Sequence, residues 1–156
     1  MIEIDIPGFG LLQLEHLVSD FSGTLSVDGN LVEGVAERLN SLADKLQIHV
    51  LTADTHGKVK TAIDGINCSL DILEPKYQDF QKEKYILKLG ARGVAAIGNG
   101  TNDKLMLKTS RLGIAVCLSE GTSFEAARSA NVLVTSILDG LDLLLSPNRL
   151  IATLRY

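Results

Sequence analysis

The run His16-Leu17-Val18-Ser19-Asp20 ends on a carboxylate, and Phe21-Ser22-Gly23-Thr24-Leu25 turns the chain straight afterwards. A buried strand that stops on an acid and meets small residues is how an α/β sheet presents a nucleophile at its carboxyl edge. The rest of the chain repeats that rhythm. Apolar runs at 48–51, 68–73, 94–97, 113–118 and 132–134 read as buried strands. Between them, segments 57–66, 80–89, 102–108, 122–130 and 137–145 read as helices, and 31–46 places Leu31, Val32, Val35, Leu39, Leu42 and Leu46 at helical spacing. Strands and helices that alternate with short connections predict a doubly wound parallel sheet covered on both faces. The expectation is a three-layer α/β domain over residues 1–156, with no stretch long enough for an inserted cap domain.

The amino-terminal segment alternates Ile2, Ile4 and Ile6 with acidic residues, turns at Pro7-Gly8-Phe9-Gly10 and continues through Leu11-Leu12-Gln13-Leu14. This predicts a short β-hairpin leading into the first core strand. Thr122-Ser123-Phe124-Glu125 has the pattern of a capping box at a helix start. Pro147 breaks the chain before a short tail left open between helix and coil.

With 46% hydrophobic residues, no Trp and 4% aromatics, the core must be aliphatic. A net charge of -4 with scattered Lys and Arg argues against nucleic acid as the main partner. No basic segment followed by an apolar one marks a signal peptide, and no run nears the ~20 apolar residues of a membrane helix. Cys68 and Cys117 sit in apolar strand-like runs and read as buried free thiols. A cytoplasmic protein without membrane insertion is therefore expected. His16 and His49 lie in or beside strands and read as structural, while His56 follows Thr52-Ala53-Asp54 closely enough to touch a substrate.

Asp20-Phe21-Ser22-Gly23-Thr24-Leu25 resembles the first motif of the haloacid dehalogenase (HAD) superfamily, Asp-x-Asp-Gly-Thr, and more closely its P-type ATPase form, Asp-Lys-Thr-Gly-Thr-Leu. Leu51-Thr52-Ala53-Asp54 is similar to the second motif in that form, Leu-Thr-Gly-Asp. Lys82, followed by Ile86 and Leu89, resembles the third-motif lysine and its helix, with Lys84 as the competing assignment. Ile97-Gly98-Asn99-Gly100-Thr101-Asn102-Asp103 resembles Val-Gly-Asp-Gly-x-Asn-Asp, and 112–116 and 121–127 match the segments that follow it in the pumps. Order and spacing agree from Asp20 to Val134.

The resemblance implies a Mg²⁺-dependent hydrolase or phosphotransferase in which Asp20 attacks a phosphoryl group and becomes an aspartyl-phosphate. It assigns the metal to Asp20, the Ser22 carbonyl and Asn99. Asp103 would ligate it directly, act through water, or hold Lys82. Thr52 and Lys82 would grip the phosphoryl oxygens, joined by Asn102 and by backbone N–H groups of the turn from Phe21 to Gly23. Asp54 reads either as a site-edge residue or as a structural one. Two residues depart from the phosphatase pattern. Ser22 stands where an aspartate serves as acid/base, so breakdown of the intermediate should be slow. Asn99 stands where an aspartate binds the metal, so Mg²⁺ should be held more weakly. The same departures support an alternative: a weak or inactive HAD-fold module that binds phosphate or phosphoprotein, or regulates a partner. Pumps bind nucleotide through a separate inserted domain with no counterpart here. The substrate is expected to be phosphorylated, with a second copy of the chain or a large substrate covering the uncapped site.

Overall fold

The computed structural model describes residues 1–54 and 57–156, so His56 lies outside the described residues. The amino-terminal alternation forms an antiparallel pair, β1 (Ile2–Ile6) and β2 (Gly10–Leu14), with Ile2, Ile4, Ile6, Leu12 and Leu14 turned inward. Arg111 ties this hairpin to the body of the fold. Its guanidinium lies 4.8 Å from the Phe9 ring centroid and donates to the carbonyls of Phe9 and Leu11.

Six strands form the main sheet: β3 (His16–Asp20), β6 (Gln47–Thr52), β7 (Ser69–Ile72), β8 (Val94–Gly98), β9 (Leu112–Val116) and β10 (Val132–Val134). All their pairings are parallel, in the order β10-β9-β8-β3-β6-β7. The chain builds outward from β3 to β6 and β7, then crosses back to β8. The order therefore reverses between β3 and β8, which opens a crevice at their carboxyl ends. Ser19 pairs with Ile97, so Asp20 and Gly98 emerge side by side there.

Helices cover both faces. Val35, Leu39 and Leu42 of α1 (Val35–Ala43) share one core with Ile48, Val50 and Ile97, with Ile137, Leu141 and Leu144 of α6 (Ile137–Leu145), and with Leu150 of α7 (Pro147–Leu154). On the other face Val18, Leu51 and Ala96 pack with Ile86 of α3 (Gln78–Leu89), Met106 and Leu107 of α4 (Lys104–Thr109), and Ala126 of α5 (Phe124–Ser129). This is the expected three-layer sheet with an amino-terminal hairpin.

Four local expectations are corrected. Residues 31–34 are not helical: β4 (Ser26–Val27) and β5 (Asn30–Leu31) pair across Asp28-Gly29, whose φ values of 51° and 78° both lie in the left-handed region. That is the two-residue turn that matches strand twist, and α1 starts only after Gly34. The helix expected at 57–66 contracts to α2 (Val59–Ala62). Ser123, not Thr122, caps α5: its hydroxyl accepts from the Ala126 N–H at 3.0 Å, while Thr122 donates to the Asn99 carbonyl. The tail, left open between helix and coil, is helical as α7: the chain breaks after α6, and Pro147 stands in the first turn of α7, where a missing N–H costs nothing. Cys68 and Cys117 are free, as expected, but only half-buried.

His16 and His49 belong to a chain of hydrogen bonds below the sheet's carboxyl edge. The Tyr85 hydroxyl donates to Asp71 at 2.9 Å, so its oxygen is left to accept from His49 Nδ1 at 3.0 Å. His49 Nε2 faces His16 Nδ1 at 3.1 Å. Burial and the neighbouring His16 lower the His49 pKa; burial and Asp71 push Tyr85 up to about 12.

Candidate active site

Three buried charges meet at the switch point. Asp20, the last residue of β3, has one carboxylate oxygen 2.8 Å from Lys82 Nζ, and its other oxygen accepts from the Thr24 hydroxyl at 3.1 Å. Lys82 reaches in from α3 with its side chain only 1% exposed, and it also donates to Asp103 at 2.6 Å. Asp103 is completely buried; its second oxygen accepts from the N–H groups of Asn99 (3.0 Å) and Gly100 (2.9 Å). Of the roles open to Asp103, the geometry is that of holding Lys82, because both its oxygens are engaged. Of the two candidate lysines, Lys82 is inside the cluster, whereas Lys84 is exposed.

Two carboxylates and one ammonium leave this cluster one negative charge in excess. Burial, and next the Asp103 charge, push Asp20 up to about 6, against the pull of Lys82 and Thr24. Burial alone would lower the Lys82 pKa, but the two carboxylates outweigh it and raise it. Lys82→Met would leave two buried carboxylates facing each other. It is expected to cost about 3 kcal/mol near neutral pH, read by urea unfolding, with the deficit shrinking as acid protonates Asp20.

Glycine is required where the chain crosses this cluster. A Cβ on Gly98 would lie 2.6 Å from the Asp103 carboxyl carbon. Gly98→Ala should push Asp103 off Lys82 and lower stability by about 2 kcal/mol, visible as a reduced melting temperature. Gly23 has φ +75°, and a Cβ there would lie 2.5 Å from the Asn99 side-chain nitrogen. Its N–H donates to the Ser26 carbonyl at 3.0 Å, which corrects the expectation that it points at a phosphate. The Phe21 side chain is in the core, and its carbonyl accepts from the N–H groups of Thr24, Leu25 and Ser26, closing the turn.

Above the cluster lies an open cavity of about 330 Å³ lined by Asp20, Ser22, Thr52, Ala53, Asp54, Gln78, Asn99, Gly100 and Asn102. The structure thus brings Asp20, Ser22, Thr52, Asn99 and Asn102 to one opening, with Lys82 and Asp103 directly behind. The Val59 N–H donates to Asp54 at 3.2 Å, which anchors the start of α2. Every polar atom of Asn99 is engaged. Its amide oxygen accepts from Thr24 at 3.2 Å, its amide nitrogen donates to the Gly121 carbonyl at 3.1 Å, and its own carbonyl accepts from Thr122 and Ser123.

The donor set fits a hard divalent cation. Oxygens of Asp20 and Asn99 share the single Thr24 hydroxyl at 3.1 and 3.2 Å, so they stand side by side next to Ser22. The excess negative charge favours a cation there. Among the described residues no cluster of three or more His, Cys, Asp or Glu is arranged to hold a metal. The set is one carboxylate with neutral oxygens, a composition that Mg²⁺ completes with water.

Three side chains of the candidate site were missing from the sequence reading. Thr24 bridges Asp20 and Asn99, Thr122 fixes the Asn99 backbone, and Gln78 lines the cavity while accepting from Asn102 at 2.8 Å. Gln78 had a usable signal, since it lies one helical turn before Lys82 on the same face.

No family model matches the chain. Over 62 residues it is 50% identical to the uncharacterized protein MJ0073 of Methanocaldococcus jannaschii, covering 40% of this chain and 67% of that protein. Among solved structures, one assigned to the HAD superfamily (subfamily III A) from Legionella pneumophila superposes with a TM-score of 0.67 at 19% identity, over 90% of this chain and 86% of that one. The 3-deoxy-D-manno-octulosonate 8-phosphate phosphatase of Moraxella catarrhalis, in complex with magnesium ion, phosphate ion and KDO, gives 0.68 at 16% identity, over 90% and 92%. A zinc-transporting PIB-type ATPase gives 0.58 at 26% identity, over 78% of this chain and 20% of that one. Among the described residues no helix is long and apolar enough to cross a membrane. The chain belongs to one family with MJ0073, and its fold is that of the haloacid dehalogenase superfamily.

Proposed function

We propose that this chain is a Mg²⁺-dependent HAD-type phosphohydrolase or phosphotransferase that works through an aspartyl-phosphate on Asp20. The observation that carries this reading is the Asp20 carboxylate at the cavity floor, oriented by Lys82 at 2.8 Å and Thr24 at 3.1 Å. An Asp20 oxygen bonds to phosphorus as the bond from phosphorus to the leaving oxygen breaks; water then cleaves the acyl phosphate and regenerates the carboxylate. Lys82 and Thr52 offer positive charge and a hydroxyl to the phosphoryl oxygens. Asp103 keeps Lys82 in place from behind. A bound Mg²⁺ would be held by Asp20, the Ser22 carbonyl and Asn99, and would supply positive charge against the substrate's negative charge. Ser22 cannot exchange a proton near neutral pH, so departure of the leaving group and attack of water lack a side-chain acid and base at that position. The cavity is open, and a second copy of the chain over its mouth would exclude water. A cytoplasmic location is part of the same reading.

The test is hydrolysis of p-nitrophenyl phosphate with Mg²⁺ and with EDTA. Slow release that needs the metal and disappears in Asp20→Asn is the expected result. Absence of release, together with tight binding of inorganic phosphate, would favour the phosphate-binding module that Ser22 and Asn99 also allow.

A further inference from the structure

Gln78 stands on the cavity wall as the first residue of α3, and its placement is built rather than incidental. Tyr77, just before it, is held at φ 56°, a left-handed conformation that a bulky residue rarely adopts. The loop carrying Tyr77 is fixed by Gln81, whose amide nitrogen donates to the carbonyls of Glu74 (3.1 Å) and Lys76 (2.6 Å) and whose amide oxygen accepts from the Glu74 N–H at 3.0 Å. On the cavity side, Asn102 donates to the Gln78 oxygen at 2.8 Å, while the Gln78 nitrogen, which carries two N–H groups, donates to the Pro75 carbonyl at 3.4 Å. The wall beside Asp20 therefore carries a rigidly held pair of neutral amides.

Such a pair offers donors and acceptors but no charge. A hydroxyl, which both donates and accepts, is the matching group. Among the described residues no Lys, Arg or aromatic side chain lines the cavity, so none of them offers a second phosphate or a planar base a matching partner. Resting on the reading of Asp20 as phosphoryl acceptor, we infer that Gln78 recognises the leaving group, and that the substrate is a phosphomonoester of an alcohol bearing further hydroxyls.

Glycerol 1-phosphate and n-propyl phosphate differ by two hydroxyls and so isolate this contact. The wild-type protein with Mg²⁺ should show kcat/KM about tenfold higher for glycerol 1-phosphate, and Gln78→Ala should reduce that ratio to roughly twofold, the loss expected for one good hydrogen bond. A wild-type ratio near one overturns the inference without any variant, as does a high ratio that Gln78→Ala leaves in place. Turnover of neither ester, while p-nitrophenyl phosphate is hydrolysed, overturns the substrate class and leaves Asp20 as acceptor. Turnover of none of the three removes the hydrolase reading and this inference with it.

Discussion

Asp20→Asn is expected to abolish phosphoryl acceptance and, in the same molecule, to stabilise the fold near neutral pH by about 2 kcal/mol. The first effect follows from removing the nucleophile. The second follows from charge. Asp20, Lys82 and Asp103 form a buried cluster with one negative charge in excess, and a neutral amide in place of the Asp20 carboxylate would leave Lys82 and Asp103 as a balanced pair. The sign is fixed by the raised pKa of Asp20, from 3.8 to about 6. The folded chain holds that proton more tightly than the unfolded one. Asp20's contribution to stability is therefore complete below its unfolded pKa and is lost as pH rises through about 6. The variant lacks that loss. Urea unfolding should give a small difference between the two proteins near pH ~4 and the full gain above pH ~6. A variant less stable than the wild type near neutral pH would mean that attraction to Lys82 outweighs burial and repulsion.

Ser22→Asp is expected to raise steady turnover by about 10²-fold. Ser22 is exposed on the cavity wall, two residues after Asp20, so a longer carboxylate can reach the opening without being buried. It would supply a group able to protonate the departing oxygen and then accept a proton from water. In the wild type the phosphoryl group should accumulate on Asp20 because the second step is slow. In the variant the accumulated fraction should fall while phosphate release rises. Fast wild-type turnover with no gain in the variant would show that another group performs the proton transfers, and Ser22 would lose its assigned importance.

Much of this was legible in the sequence because each core strand is a short apolar run bounded by a break. The runs at 94–97 and 132–134 became β8 and β10 with boundaries shifted by at most one residue. The segment 31–46 misled for a physical reason. Leu31 and Val32 keep the helical spacing of α1, but Asp28-Gly29 supplies two left-handed residues, and a tiny hairpin takes Leu31 instead. A turn signal only two residues long outweighed a periodicity six residues strong. At the site, Asp20, Thr52 and Asn99 were readable because each stands at the end of a strand or directly after it, and Lys82 because Ile86 and the residues around it set a buried helix face. Thr24 and Thr122 were not readable as site residues. Their roles depend on Asn99, which is 75 residues from Thr24 in the chain and 23 from Thr122, and spacing within a single element cannot report such contacts. Asp103 lay between: its nearness to the site was evident, but only three-dimensional placement shows its carboxylate turned to Lys82 and to two backbone N–H groups.

The central claim is that Asp20 is a working nucleophile whose phosphoryl adduct lasts. Incubation with acetyl phosphate and Mg²⁺, an acid quench and intact-mass spectrometry test it directly, with Asp20→Asn treated in parallel. A single phosphoryl adduct on the wild type, absent from the variant and absent without Mg²⁺, is the predicted result. An unmodified wild type that also releases no phosphate, or an adduct that persists in Asp20→Asn, would contradict it.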